Sequence, residues 1–300
     1  MVKMMLFFLL ILLGAVTAPL CLRAQDDLLR LLDSQTVDRQ AIDVAAATFK
    51  GTRIINGHSV ETGAGGDLQF LISHRFGTLN SGAYHFFGLD QSTIRLALEY
   101  GLTNRLMIGI GRSSFEKTYD SFAKYRLVRQ SSGARSVPVS LTAFTSVAAK
   151  TLRFPDPSQT YSFSTRLSYT YQLLIARKFS DRTSLQLSPT LVHRNLVESR
   201  QEENRVYAIG IGGRQKLSNR IALTAEYFYL LPGPTASRFS NSLSAGLDIQ
   251  TGGHVFQLHV TNSQGMVEKL FIPETLGTWS RGDLYFGFNI VRSFSLKPVK

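Results

Sequence analysis

From Asp67 onward, apolar and polar residues alternate with a period of two, and the alternation persists to Phe294. That period belongs to β-strands whose two faces meet different surroundings, because successive side chains point to opposite sides of a sheet. Leu68, Phe70 and Ile72 alternate with Gln69, Leu71 and Ser73, and Ile94, Leu96, Leu98 and Tyr100 with Arg95, Ala97, Glu99 and Gly101. The same pattern sets Leu106, Ile108 and Ile110 against Met107, Gly109 and Gly111, and Leu167, Tyr169, Tyr171, Leu173 and Ile175 against Arg166, Ser168, Thr170, Gln172 and Leu174. Further strands centre on 119–129, 137–149, 185–191, 206–215, 221–230, 242–249, 254–262 and 284–294. The total is about twelve, and single-chain bacterial barrels require an even number.

The connections alternate between two kinds. Leu102-Thr103-Asn104-Arg105, Phe179-Ser180-Asp181-Arg182 and Leu217-Ser218-Asn219-Arg220 are variants of one tight turn, in which Asn or Asp supplies the geometry. Ser131-Ser132-Gly133 and Gln250-Thr251-Gly252-Gly253 occupy equivalent places. Long connections lie between them, over 77–92, 150–161, 194–205, 231–240 and 264–282. Short turns on one side and long loops on the other is the polarity of an outer-membrane barrel, with both termini on the periplasmic side. The expected fold is therefore all-β: a closed antiparallel transmembrane β-barrel over 67–296, followed by a tail over 297–300.

Ahead of the strands the pattern differs. Lys3, the apolar run Met4 to Val16 and a stretch ending in Leu22-Arg23-Ala24 have the layout of a secretory signal peptide over 1–24. The run is shorter than the ~20 residues a membrane-crossing helix needs. Cleavage after Ala24 would remove Cys21, the sole cysteine, leaving neither a disulfide nor a thiol nucleophile. A lipid-modified Cys21 is the alternative, but Leu20 is not the small residue that processing favours at that place. Residues 25–66 read as a periplasmic arm: a loosely helical pattern from Asp26 to Ala47, then the Gly-rich, aperiodic text FKGTRIINGHSVETGAGG of 49–66 as a connector that enters or approaches the barrel.

A soluble sandwich also alternates, so the second face decides. It carries mostly Ser, Thr, Gly, Ala and Gln with sparse charges, which suits a crowded lumen better than a solvated exterior. Only 18% of residues are charged, below the roughly 25% usual for soluble domains. Tyr100, Phe179 and Phe294 at the turn side, with Tyr119, Tyr207 and Tyr229 at the loop side, fit an interfacial aromatic girdle. The formal charge of +12 stays strongly positive without Lys3 and Arg23. Its cations are dispersed at strand ends and turns, so nucleic acid is not an expected partner, whereas the lipid bilayer and the phosphates of its outer leaflet are.

FKGTRIINGHSVET (49–62), ISHRFGTLNSGAYHFFGLD (72–90) and TGGHVFQLHVTNSQGM (251–266) resemble a Gram-negative outer-membrane β-barrel family known mainly as a domain of unknown function. The resemblance implies fold and compartment, and transfers no activity to any residue.

Candidate chemistry is sparse. Among the histidines only His254 and His259 are close, and their opposite parity directs them to opposite faces of one strand, so no metal site is expected. His259 reads as a hydrogen-bonding lumen residue. Gly109-Ile110-Gly111 and Gly210-Ile211-Gly212-Gly213 lack a following helix that would present phosphate with an N-terminus, and read as glycines facing a narrow lumen. No cofactor and no catalytic residue are expected. The lumen-lining candidates are Arg75, Arg95 and Arg166 near the loop-side mouth, Arg126, Arg214, Glu99 and Asp248 nearer the periplasmic end, Glu226 mid-strand, and His259. They support two readings: an internal ion-pair network that stiffens and closes the barrel, or a narrow pathway whose cationic mouth attracts a small anionic solute. The corresponding functions are a channel or uptake barrel, and a structural barrel binding a periplasmic or surface protein through 77–92 and 264–282. A lipid hydrolase is a remote third that no motif supports.

Overall fold

The computed structural model describes residues 42–153, 161–251 and 254–296. The expected signal peptide, the arm before 42 and the tail over 297–300 lie outside the described residues.

Among the described residues there are fourteen strands: β1 (Ile42–Val44), β2 (Asp67–Thr78), β3 (Ser92–Gly101), β4 (Leu106–Ser113), β5 (Thr118–Val128), β6 (Ser131–Gly133), β7 (Ser140–Lys150), β8 (Leu167–Lys178), β9 (Thr183–Arg194), β10 (Arg205–Lys216), β11 (Ile221–Leu230), β12 (Ser242–Thr251), β13 (His254–Thr261) and β14 (Tyr285–Ser295). β1 and β6 form a separate two-stranded ribbon. The helical pattern expected up to Ala47 thus ends in a strand at 42–44, and Ser131-Ser132-Gly133, expected as a bare turn, is a paired strand. The other twelve make one closed barrel in which β14 returns to pair antiparallel with β2. Closure satisfies every strand edge within the sheet, which is the condition for crossing hydrocarbon with strands.

The two faces are arranged the opposite way to those of a soluble barrel. Outward positions such as Ile110 (62% exposed), Tyr171 (50%) and Leu187 (41%) are apolar and uncovered, while inward positions such as Arg95, Glu99, Gln186 and Thr224 are buried. Across six adjoining strands one pairing row, Phe70, Leu98, Ile110, Ser121, Val147 and Tyr169, holds no charge. Such a surface is stable against acyl chains and not against water.

The tight turns at 102–105, 179–182 and 217–220 depart from expectation in mechanism. The hydroxyls of Thr103, Ser180 and Ser218, not the neighbouring Asn or Asp, accept the backbone N–H groups two and three residues on. Hydroxyl-capped turns of this kind free the next side chain to face water. On the loop side, one connection was absent from the sequence reading: 114–117, between β4 and β5, the shortest on that rim.

The interior is packed rather than open. Gly109 and Gly210 make the packing possible, because a Cβ at either would lie 2.3 Å from the Phe122 ring or 2.5 Å from the Phe228 ring. Two elements fill the remaining space. From the turn side, residues 48–60 enter the lumen. From the loop side, the β13–β14 connection folds inward, and its short helix Glu268–Phe271 is wholly buried. Of 264–282, the working surface of the structural-barrel reading, the first part is thus turned into the lumen, while Leu276 and Trp279 remain exposed.

Candidate functional site

The element entering from the turn side is a tight hairpin. The Ile54 N–H donates to the Gly57 carbonyl (2.8 Å), the Ser59 N–H donates to the Thr52 carbonyl (3.0 Å), and Arg53 bridges His58. Too short to satisfy itself, it must take its remaining hydrogen-bond partners from the wall, because buried backbone groups left unpaired are costly. Glu226 on β11 meets the tip: its carboxylate accepts the N–H groups of Ile55 (3.2 Å), Asn56 (2.7 Å) and Gly57 (3.0 Å). A Cβ at Gly57 would come within 2.9 Å of Phe228, so glycine is what lets the tip reach that carboxylate.

The rest of the wall completes the set. Arg75 donates to the Asn56 side-chain oxygen (2.6 Å), and the Asn56 amide donates to Ser244 (3.1 Å). Gln257 and Asn289 donate to the carbonyls of Ile54 (2.7 Å) and Ile55 (2.9 Å). Gln186 holds the returning limb from both sides, accepting from the Val60 N–H and donating to the His58 carbonyl (2.7 Å each). Lys124, fully buried, donates to the carbonyls of Thr52 (3.1 Å) and Ser59 (3.2 Å). Glu99 accepts from the Thr52 hydroxyl (2.9 Å) and faces the Arg53 guanidinium (3.5 Å). Apolar contacts fill the gaps: Phe49, Ile54 and Val60 pack with Ala176, and the His58 ring lies 4.5 Å from Phe122 and 4.3 Å from Phe144.

The inward loop meets the hairpin from the other end. Glu268 faces Arg53 and His58, each at 3.5 Å. Beside it, Lys269 pairs with Glu116 (2.8 Å), which also accepts from Lys150 (2.5 Å). Burial would raise the Glu116 carboxyl, but the Lys269 and Lys150 ammonium groups hold it below the usual range. Burial pushes Glu274 up despite Lys269 and Arg194. Phe271 and Ile272 anchor the loop among Val192, Val206, Phe228 and Leu230. Hairpin, loop and wall thus form one continuous contact across the lumen.

The residues expected to line the lumen divide accordingly. Arg75, Glu99 and Glu226 touch the hairpin directly. Arg126 reaches its base, facing Glu61 at 3.4 Å. Arg95 does not stand at an open mouth: it is buried in an ion pair with Asp120, through a bond of 2.9 Å from Nε. Asp248 accepts from Gln257 (2.9 Å), and Arg214 has inward parity on the neighbouring part of β10. Arg166 belongs to the loop-side rim, where it donates to the carbonyls of Lys150 (3.1 Å) and Leu152 (2.8 Å). His259 is buried with inward parity on β13, beside Gly287 of β14. Lys124, Asp120, Gln186, Gln257 and Asn289 were missed although their strand parity marks them as inward. Asn56 and Glu268 lie in aperiodic segments, where parity gives no signal.

The chain is similar to the NanC porin (7% identity, TM-score 0.47, covering 75% of this chain and 98% of that one) and to the KdgM porin (10%, 0.46, 76% and 99%). It is also similar to Omp33 of Acinetobacter baumannii (7%, 0.43, 78% and 100%). Likenesses this distant carry no function. No curated protein matches the chain. Residues 49–294, hairpin and barrel together, match the family described as a membrane bound beta barrel domain, and the chain belongs to that family, whose function is unknown.

Proposed function

We propose that this protein is an outer-membrane uptake barrel for a small, anionic solute, held shut at rest by its own N-terminal hairpin. The observation that supports it is the polarity of the hairpin's contact with the wall. Glu226, Arg75, Gln186, Gln257, Asn289 and Lys124 bind hairpin backbone or amide groups, and all are buried. A permanent filling would be at least as stable if apolar, since buried charges cost desolvation free energy that their pairing only partly returns. A polar contact has a different virtue. When it separates, both surfaces are wettable, so the vacated lumen fills with water instead of dewetting. The inward cations Arg75, Arg95, Lys124, Arg126 and Arg214 then outnumber Glu99, Asp120, Glu226 and Asp248, which favours anions.

Planar-bilayer conductance tests this. The intact chain is expected to be closed with rare openings, and a chain lacking 49–60 to conduct with mild anion preference. The point variant Glu226→Gln, which leaves the wall complete, is expected to open more often than the parent. A folded truncated barrel that never conducts would instead support a structural barrel, and a parent that conducts steadily would show that the hairpin does not seal it.

A further inference from the structure

On the loop side, a cavity of about 480 Å³ lies between the β7–β8 connection, the β9–β10 connection and the inward loop. That size is within the roughly 300–1,000 Å³ usual for small-molecule sites. Its charged lining is Lys150, Arg153, Arg166 and Glu198, with Lys269 and Glu274 contributed by the inward loop. Leu152, Tyr161, Leu196 and Val197 supply an apolar surface beside them. A solute held here would rest directly on the loop that closes the lumen from outside.

The four lining cations face two lining carboxylates, and those carboxylates are already engaged. Glu274 takes Arg194 at 3.0 Å, while Glu116, just behind the lining, takes both Lys150 and Lys269. Arg166 is held in the wall by the carbonyls of Lys150 and Leu152. Arg153 is exposed and has no carboxylate partner among the described residues.

Glu198 shows what this set of cations accepts. Its carboxylate, 68% exposed, reaches Lys150 at 3.5 Å and Arg238 at 3.6 Å. Long, solvent-screened pairs of this kind contribute little. A carboxylate arriving in the cavity can therefore take the place of Glu198 at Lys150, with Arg153 lining the same space. The apolar side chains then discriminate, because they give nothing to an inorganic anion and remove the body of an organic one from water. One displaceable carboxylate position matches a single charge on the ligand.

We propose that this cavity captures the solute, and that the solute is a small organic monocarboxylate with an apolar body. The assignment rests on the uptake reading for its role in transport, whereas binding itself needs no opening of the hairpin.

The test is hexanoate binding to the full chain in phosphatidylcholine nanodiscs, read by isothermal titration calorimetry against empty discs, with acetate and hexylammonium for comparison. Hexanoate is expected to bind, acetate to bind at least about tenfold more weakly for want of apolar surface, and hexylammonium not to compete. Arg153→Gln is expected to weaken hexanoate about fivefold, and Glu198→Gln, which removes the built-in competitor, to strengthen it about threefold. A merely damaged loop would not raise affinity. Equal affinity for hexylammonium, no response to Arg153→Gln, or no gain in Glu198→Gln would overturn the proposal. Conductance separates the two readings: a chain that binds hexanoate but never conducts loses the uptake reading and keeps the site, and one that conducts without binding hexanoate loses the site alone.

Discussion

Glu226 is where the hairpin is most open to perturbation, because one carboxylate takes three of its N–H groups. In Glu226→Gln the shape is kept, one accepting oxygen remains, and the second becomes a donor facing N–H groups. Hydrogen bonds to a charged group contribute about 1.5–3 kcal/mol each, against about 0.5–1.5 for neutral ones, so the three together weaken by roughly 3 kcal/mol. At 1.4 kcal/mol per factor of ten, the unlatched population rises on the order of a hundredfold. Arg75, which lies in the same pocket, also loses its nearest counter-charge. Hydrogen–deuterium exchange reads the effect locally: the Ile55, Asn56 and Gly57 amides are expected to exchange about a hundred times faster, with the strand amides unchanged. A change below threefold at these amides would refute the latch. Equal acceleration in β2 to β14 would show that Glu226 stabilises the whole barrel and not the stopper.

Lys124→Met keeps length and removes the donor to Thr52 and Ser59, so proteolysis between 52 and 59 is expected to accelerate tenfold or more; unchanged cleavage would count against Lys124 as a clamp. Gly109→Val drives side-chain atoms into the Phe122 ring and is expected to lower the urea midpoint by an amount equivalent to about 1–3 kcal/mol, with partial recovery in the pair Gly109→Val and Phe122→Leu. Leu187→Arg, mid-strand on the outer face, is expected to lower folding free energy in bilayers by about 2–4 kcal/mol, and no loss would contradict lipid contact there. A reducible cross-link between Asn56→Cys and Ser244→Cys, whose native side chains are hydrogen-bonded, is expected to abolish solute flux into liposomes until reductant is added.

The wall was legible because a period of two survives any loop length. Arg95, Glu99 and Glu226 were placed inward by parity alone, and parity would equally have found Lys124, Gln186 and Asn289. Direction was legible, but partnership was not. Arg75 and Arg95 looked alike as mouth arginines, yet one binds the hairpin tip and the other is spent on Asp120, a difference set by neighbours across strands. The hairpin could be seen only as a Gly-rich connector, since its order comes from wall groups far away in the chain. The inward fold of the 262–284 loop was illegible for the same reason: Phe271 and Ile272 are apolar enough to be buried, but without periodicity nothing said where.

Consider the spans those bonds bridge. The Ile55 carbonyl meets Asn289 across 234 positions, and the Ile54 carbonyl meets Gln257 across 203. The strand bearing Asn289 is also the one that zips the sheet to β2. The stopper's last partners therefore arrive in the same event that seals the seam. An assembling chain must keep the segment at hand through the addition of every hairpin of the wall, and a cylinder that zipped shut without it would leave the carboxylates and amides of its lumen to water. Contacts of such long range are slow to form, which makes biogenesis, rather than final stability, the stage at which substitutions in 49–62 should tell first.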